Sequence, residues 1–178
     1  MKFTNPIIPG FAPDPSIVLV EGVFYLVNSS FHIFPGLPIY TSRDLQHWSL
    51  EGHALCRTSQ LSLSGAFNKL IQPPNSQPVF ITGGLFAPTI RFFQGRFYIV
   101  CTNTFKDIDG TSCYQNFLIS CEKHEVFSGG WSDPVLFDFP GIDPGLFFDA
   151  STGKAYLHGS HRTGPAWAPN CSIRQFEN

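Results

Sequence analysis

The sequence predicts an all-β protein of the propeller type, built from a repeated unit. Aromatic residues make up 15% of the chain, phenylalanine alone occurs 19 times, and 16 glycines and 15 prolines are available for turns. These proportions favour short strands joined by many turns. A second observation is a cassette that occurs three times: an acid or alanine, a proline, a short apolar run, then Gly and Tyr. Such self-similarity over several tens of residues is typical of a repeat architecture.

The three copies of the cassette begin at Asp14, Ala87 and Asp143, which lie 73 and 56 positions apart. The glycine follows at +8, +8 and +10, and the tyrosine at +11, +11 and +13. The unit is therefore constant, while the loops that connect its copies vary in length. Two of the three copies keep a carboxylate at the first position, and the middle copy carries a methyl group there.

The first unit contains two β-rich runs in residues 16–28, folded about a Glu-Gly pair at 21–22 that is a hairpin signal. A loop rich in Phe, Pro and Gly at 31–38 leads to a further run at 39–42. A polar turn at 43–48, closed by a tryptophan, follows. We expect four strands in about forty residues, which is the amount of sheet in one propeller blade.

The second and third units repeat this order. The expected segments of the second unit are 89–93, 96–102, 116–121 and a closing segment at 130–133. The expected strands of the third unit are 146–148, 155–159 and 172–176. The three units predict a single domain over 1–178 with about two and a half blades, incomplete at its C-terminal end. Residues 57–84 fit no blade strand well and are expected to form a long surface loop, either a plain excursion or a functional one.

Composition argues against several partners and compartments. Only 13% of the residues are charged and the formal net charge is −2, so neither nucleic acid nor an anionic membrane is an expected partner. No run approaches the roughly 18 apolar residues of a membrane span. The chain enters its first cassette without an apolar leader, which predicts a cytoplasmic location.

Cysteine and histidine patterns predict no cofactor and no metal. The five cysteines are an odd number without a CxxC pair, and the six histidines show no metal-ligand spacing. Cys101 and Cys121 lie in strand-like runs, where a buried, reduced thiol is ordinary.

Asp14 and Asp143 are the candidate catalytic residues. Blades pack radially, so equivalent positions at the start of the innermost strands should face one mouth of the central axis. The two acids would then share a pocket although they lie 129 positions apart. Paired carboxylates suit the hydrolysis of a glycosidic bond, in which one activates water and another protonates the leaving oxygen. The alternative is that each Asp-Pro pair simply begins a strand.

Four motifs carry a resemblance to a known family. They are Asn-Pro-Ile-Ile-Pro-Gly-Phe-Ala-Pro-Asp-Pro-Ser-Ile at 5–17, Ser-Ser-Phe-His-Ile-Phe-Pro-Gly at 29–36, Ser-Arg-Asp-Leu-Gln-His-Trp at 42–48 and Gly-Ile-Asp-Pro at 141–144. From Asn5 to nearly Asn178 the chain resembles glycoside hydrolase family 43, the β-xylosidase and α-L-arabinofuranosidase group. The resemblance implies a five-bladed β-propeller and inverting hydrolysis of xylosides or arabinosides, including xylan-derived oligosaccharides.

The resemblance also implies roles for individual residues. Asp14 corresponds to the general base, and Asp143 to the acid that tunes the pKa of the general acid and orients the substrate. From their chemistry, Phe31, Ile33, Phe34 and Phe86 suit either the apolar floor of a sugar pocket or an ordinary core. The expected substrate-binding residues are Phe31, Phe34, Phe86 and Ala87. Family members commonly have Trp before the Ala-Pro of the second blade, and Phe86 keeps that apolar wall without the indole N–H.

The family's general acid is a glutamate in a Glu-Gly-Pro motif, and no such motif occurs in these 178 residues. One hypothesis is a glycoside hydrolase whose general acid lies beyond Asn178. Another is a truncated, non-catalytic fragment that binds carbohydrate or a protein partner. A related sucrose- or fructan-cleaving enzyme is a weaker third. Open sheet edges predict self-association. The resemblance implies a pentose-containing oligosaccharide as the substrate.

Overall fold

The computed structural model of the protein describes residues 5–75 and 77–161. Within these ranges the chain forms twelve strands, one short 3₁₀ turn at Lys123–Glu125 and no α-helix. The strands make two four-stranded sheets and two hairpins. The all-β prediction and the repeated four-stranded unit are therefore confirmed.

The first unit is an antiparallel sheet whose strands neighbour one another in chain order. Its strands are β1 (Ser16–Val20), β2 (Val23–Val27), β3 (Gly36–Ser42) and β4 (Ser49–Leu55). Glu21 and Gly22 both have positive φ, 48° and 77°, which confirms the tight hairpin between β1 and β2. The polar turn before β4 is organised by Asp44, whose Oδ1 accepts the backbone N–H groups of Gln46 and His47 at 2.9 and 2.8 Å.

The segment at 57–84 contains a hairpin, so the prediction of a loop without strands is wrong. Its strands are β5 (Asn68–Ile71) and β6 (Val79–Thr82), paired in register from Asn68 with Thr82 to Ile71 with Val79. Each strand is only four residues long and is surrounded by polar and proline-containing sequence. The two strands lie on either side of Pro73-Pro74. Runs this short in such a context do not give a clear strand signal in the sequence.

The second unit is the longest sheet of the protein. Its strands are β7 (Gly84–Phe93), β8 (Arg96–Lys106), β9 (Ser112–Glu122) and β10 (Val135–Phe137), adjacent in the order β10-β9-β8-β7. The segment expected to close this unit, at 130–133, comes before its last strand, since β10 begins only after Pro134. Trp131 instead inserts into the core, 1% exposed, and donates its indole N–H to the carbonyl of Val126 at 3.2 Å.

The third unit consists of the hairpin β11 (Ile142–Asp149) and β12 (Lys154–Ser160). Both strands confirm predicted positions. The strand expected at 172–176 lies outside the described residues.

The principal core lies between the first and second units. Its fully buried side chains come from both sheets: Val27, Leu37, Ile39, Leu85, Ile90, Phe97, Ile99, Phe117 and Ile119. Each such side chain contributes about 1.5–3 kcal/mol on burial. The two sheets are also hydrogen-bonded directly, because the N–H of Ile90 donates to Ser16 Oγ at 3.1 Å. This contact fixes the start of β1 against β7. It lies close in sequence to Asp14 and Ala87, the first residues of the first two cassettes.

Cys101 and Cys121 are fully buried free thiols, as the sequence predicts. Burial raises the pKa of the Cys121 thiol to about 11. In the described part of the chain, no helix is long and apolar enough to cross a membrane.

Candidate active site

The first residue of each cassette adopts the same unusual backbone conformation. Asp14, Ala87 and Asp143 have φ values of 52°, 38° and 55°, a region that residues other than glycine rarely occupy. The ladders β7–β8 and β11–β12 each change register at this point, and Asp14 lies two residues before the start of β1. A bulge of this kind redirects a side chain out of the regular alternation of a strand. The three repeat positions are therefore structurally equivalent.

The Asp14 carboxylate accepts a hydrogen bond from a buried serine. Ser29, two residues after the end of β2 and 1% exposed, donates its hydroxyl proton to Asp14 Oδ2 at 2.7 Å. The same hydroxyl oxygen accepts the backbone N–H of Ala87 at 2.7 Å. One side chain thus joins the first cassette to the second. The Asp14 residue itself is exposed.

Asp143 is positioned through its backbone rather than its carboxylate. Its N–H donates to Thr102 Oγ1 at 3.2 Å, and Thr102 donates its own proton to Asn116 Oδ1 at 2.7 Å. The amide of Asn116 donates to the carbonyls of Phe139 and Gly141, both at 3.0 Å. The segment that leads into β11 is therefore tied to β8 and β9 of the second sheet.

The two carboxylates influence each other electrostatically. The pKa of Asp143 is raised, first because the surrounding protein partly desolvates its carboxyl group and second because the negative charge of Asp14 opposes its ionisation. The repeat therefore brings two acids from different sheets into one electrostatic environment. Such pairs are common where protons are transferred.

An aromatic groove is lined by Phe86, the residue before Ala87, whereas Asp14 and Asp143 are not among its lining residues. The ring of Phe31 meets Phe86 edge-on with centroids 5.1 Å apart, and Phe11 is 5.5 Å away on another side. Phe31 and Leu85 exchange both backbone hydrogen bonds, at 3.1 and 2.9 Å. This close approach requires Gly84, with φ 107°, because a Cβ there would lie 2.2 Å from the carbonyl of Phe31.

The groove has a volume of about 770 Å³ and is predominantly aromatic. Its aromatic lining is Phe11, Phe31, Phe67, Phe80, Phe86, Phe105 and Tyr114. The β5–β6 hairpin supplies one side, with His32 Nδ1 hydrogen-bonded to Thr82 Oγ1 at 2.9 Å across it. The insertion between the first two units therefore forms a wall of the groove.

The four residues that were expected to bind substrate do not all lie at the groove. Phe31 and Phe86 pack together and line the groove, and Ala87 lies at the bulge with its N–H on Ser29. Phe34 is 42% exposed and does not line the groove, whereas its neighbour Ile33 does.

Sequence reasoning assigned no role to Ser29 or Thr102. Both lie 15 residues after the first residue of their cassette, Asp14 and Ala87. The same repeat register that identified the acids therefore contains the signal for these hydroxyl groups. Among the described residues, no three His, Cys, Asp or Glu side chains form a group that could hold a metal ion.

The repeated four-stranded antiparallel sheets are the unit from which β-propellers are built, and paired carboxylates such as Asp14 and Asp143 suit glycosidic hydrolysis. The sequence profile of Glycosyl hydrolases family 43 matches residues 3–175, and the chain belongs to this family. Its solved structural neighbours are five-bladed propellers, of which the chain covers about two and a half blades.

Individual relatives agree with this assignment. The chain is 39% identical to a β-xylosidase of Bacillus subtilis over 88% of its own length, and 42% identical to a non-reducing-end α-L-arabinofuranosidase of Bacteroides ovatus over 87%. It superposes on the crystal structure of a xylan β-1,4-xylosidase from Bacillus halodurans with a TM-score of 0.80 and 34% identity, over 99% of this chain. The chain spans 26%, 25% and 31% of the lengths of these three proteins.

Proposed function

We propose that this chain forms part of the active site of a glycoside hydrolase that cleaves xylosides or arabinofuranosides, such as those in xylan-derived oligosaccharides, with inversion at the anomeric carbon. The observation that carries the proposal is the electrostatic coupling of Asp14 with Asp143, which share a left-handed backbone conformation at the same position of their repeats. The names of the relatives, β-xylosidase and α-L-arabinofuranosidase, support this substrate class.

Asp14 acts as the general base. Its exposed carboxylate takes a proton from a water molecule, which attacks the anomeric carbon from the face opposite the leaving group. General-base catalysis of this kind contributes about 10²- to 10⁴-fold to the rate. The partner oxygen Oδ2 already accepts a hydrogen bond from Ser29, so Oδ1 is the atom that receives the proton.

Asp143 orients the sugar and supports the general acid. Its raised pKa reflects an environment that disfavours further negative charge, and such an environment also keeps a neighbouring carboxylic acid protonated. The general acid is then a glutamate supplied by a part of the polypeptide outside residues 1–178, since no Glu-Gly-Pro motif occurs within them. The greater length of the relatives is consistent with this arrangement.

Phe31 and Phe86 provide an apolar wall for the pentose ring, with Ala87 leaving space where the other two units carry acids. The edge-on packing of the two rings holds that wall in place. Phe34, which lies outside the groove lining, stays a prediction as a substrate contact.

The test is hydrolysis by the longest natural polypeptide that contains this sequence. Aryl β-D-xylosides and aryl α-L-arabinofuranosides are the substrates, and proton NMR identifies the anomer formed first. The proposal predicts release of the inverted anomer from at least one of the two substrates. Release of the retained anomer, or no hydrolysis of either, would contradict it. The similarity to xylosidases and arabinofuranosidases favours a hydrolase over the non-catalytic fragment.

Self-association of the 178-residue chain is a separate part of the proposal. Ile17 and Leu19 on β1 are 44% and 56% exposed, and Phe147 on β11 is 57% exposed. Apolar side chains on inner strands favour contact with another surface. Sedimentation should show a mass that rises with concentration and falls towards 19.8 kDa in an Ile17→Thr/Leu19→Thr variant. A parent chain that sediments as a 19.8 kDa monomer at every concentration would exclude this contact.

A further inference from the structure

We propose that Ser29 is a positioning residue for Asp14, which fixes the orientation of the carboxylate and commits one of its oxygens so that the other faces the attacking water. The inference rests on the proposed role of Asp14 as general base. It adds a residue whose contribution is geometric and which does not touch the sugar.

The direction of the Ser29 proton is determined by its second partner. A serine hydroxyl has one proton to donate and two lone pairs with which to accept. The N–H of Ala87 is a backbone donor 2.7 Å away, so the hydroxyl must accept there. Its only proton is thereby available for Asp14 Oδ2 at 2.7 Å. The resulting chain runs in one direction, from the second sheet to the carboxylate.

Ser29 holds the Asp14 segment at two points. Its backbone N–H donates to the carbonyl of Pro13 at 3.0 Å, while its side chain holds the Asp14 carboxylate. Asp14 has a φ of 52°, and the surrounding structure must maintain such a conformation. Ser29 itself is buried, at 1% exposure.

The equivalent residue of the second sheet shows that this arrangement is specific. Thr102 has the same offset within its repeat and also accepts the N–H of the next cassette, from Asp143 at 3.2 Å. However, Thr102 donates its proton to Asn116 rather than to a carboxylate. Joining neighbouring units is therefore common to both hydroxyl groups, whereas orienting an acid is particular to Ser29.

The first experiment compares variants of the longest natural polypeptide that contains this sequence. Ser29→Ala should lower kcat by roughly 10- to 100-fold with KM within about twofold, because misorientation of a base affects the transition state more than binding. Ser29→Thr should restore most of kcat, since the second unit accommodates threonine at the equivalent position. The matched control is Ser16→Ala, which removes another hydroxyl that accepts an N–H of β7 but contacts no carboxylate.

The double variant Ser29→Ala/Asp14→Asn distinguishes positioning from general stability. If Ser29 acts through Asp14, adding Ser29→Ala to Asp14→Asn should cause no further loss of kcat. An equal loss in both backgrounds, or equal losses in Ser29→Ala and Ser16→Ala, would overturn the proposal.

A crystal structure of the Ser29→Ala variant provides a readout that does not depend on activity. The Asp14 carboxylate should rotate or occupy more than one orientation. A single unchanged orientation would refute the role of Ser29, even if the parent polypeptide hydrolysed no glycoside. An active parent whose Asp14→Asn variant is equally active would instead refute the proposed function.

Discussion

The negative charge of Asp14 contributes to the raised pKa of Asp143, although the two residues belong to different sheets and are separated by 129 positions. Both have left-handed backbone conformations at the same point of their repeat. The electrostatic coupling is thus a direct consequence of the repeat. The pKa of Asp143 can therefore be used to test the coupling without an activity assay.

Asp14→Asn should lower the pKa of Asp143 part of the way towards its ordinary value. Removing the neighbouring negative charge favours ionisation, while the larger effect, desolvation, persists. Carbon-13 NMR titration of the aspartate carboxyl groups measures the shift. Asp109→Asn in an exposed loop is the control and should leave the Asp143 titration unchanged. An unaltered titration in Asp14→Asn would show that the acids do not interact.

Asp149 should make the hairpin of β11 and β12 sensitive to acid. Hydrogen bonds from the Ser151 and Thr152 hydroxyl groups and from the Ser151 N–H lower its pKa to about 2. Because the folded pKa lies below the usual value near 3.9, its stabilisation is complete above about pH 4 and is lost as the pH falls through 2.

Urea unfolding at several pH values tests this dependence. Asp149→Asn should be less stable than the parent at pH 7, and the difference should shrink as the pH falls from 4 and disappear below pH 2. A difference that stayed constant across this range would mean that the charge of Asp149 does not contribute.

Trp131 should be one of the largest single contributors to stability. Its side chain is 1% exposed within the core and its indole N–H is bonded to the Val126 carbonyl. Trp131→Ala should lower the free energy of unfolding by about 3–5 kcal/mol. Phe147→Ala, at a side chain that is 57% exposed, should change it by about 0.5 kcal/mol or less. If denaturant unfolding showed equal losses of stability for Trp131→Ala and Phe147→Ala, Trp131 would not be a core residue.

Arg57 should stabilise the contact between the first and second units mainly through backbone carbonyls. Its guanidinium donates to the carbonyls of Gly129 and Trp131 at 3.2 and 3.0 Å and to the Asp133 carboxylate at 2.7 Å. Arg57→Ala should cost about 1–3 kcal/mol. Asp133→Ala removes only an exposed ion pair and should cost about 0–1 kcal/mol. If thermal unfolding gave the reverse order, the ion pair would be the main contact.

The sequence predicts the inner strands of the fold well because their signals are local. The Glu21-Gly22 turn and the Gly and Tyr spacing identify hairpins without knowledge of tertiary contacts. The β8 strand extends to Lys106, beyond the predicted end at 102, because pairing with Ser112 continues the ladder. That extension depends on a partner strand rather than on the local sequence.

Part of the candidate site is likewise predictable from the sequence, and part depends on tertiary contacts. Asp14 and Asp143 are found from the register of the repeat, and the same offset leads to Ser29 and Thr102. The groove wall is not predictable in this manner, because Phe80 lies on a hairpin that is not part of any repeat. Its place in the same groove lining as Phe31 follows from long-range packing.

The most direct test of the account is the turnover of an Asp14→Asn variant of the longest natural polypeptide that contains this sequence. Aryl β-D-xyloside and aryl α-L-arabinofuranoside are assayed beside Asp109→Asn as the matched control. The account predicts that Asp14→Asn lowers kcat by about 10²- to 10⁴-fold with an unchanged melting temperature, while Asp109→Asn retains parental activity. Parental kcat in Asp14→Asn would contradict the assignment of Asp14 as the general base.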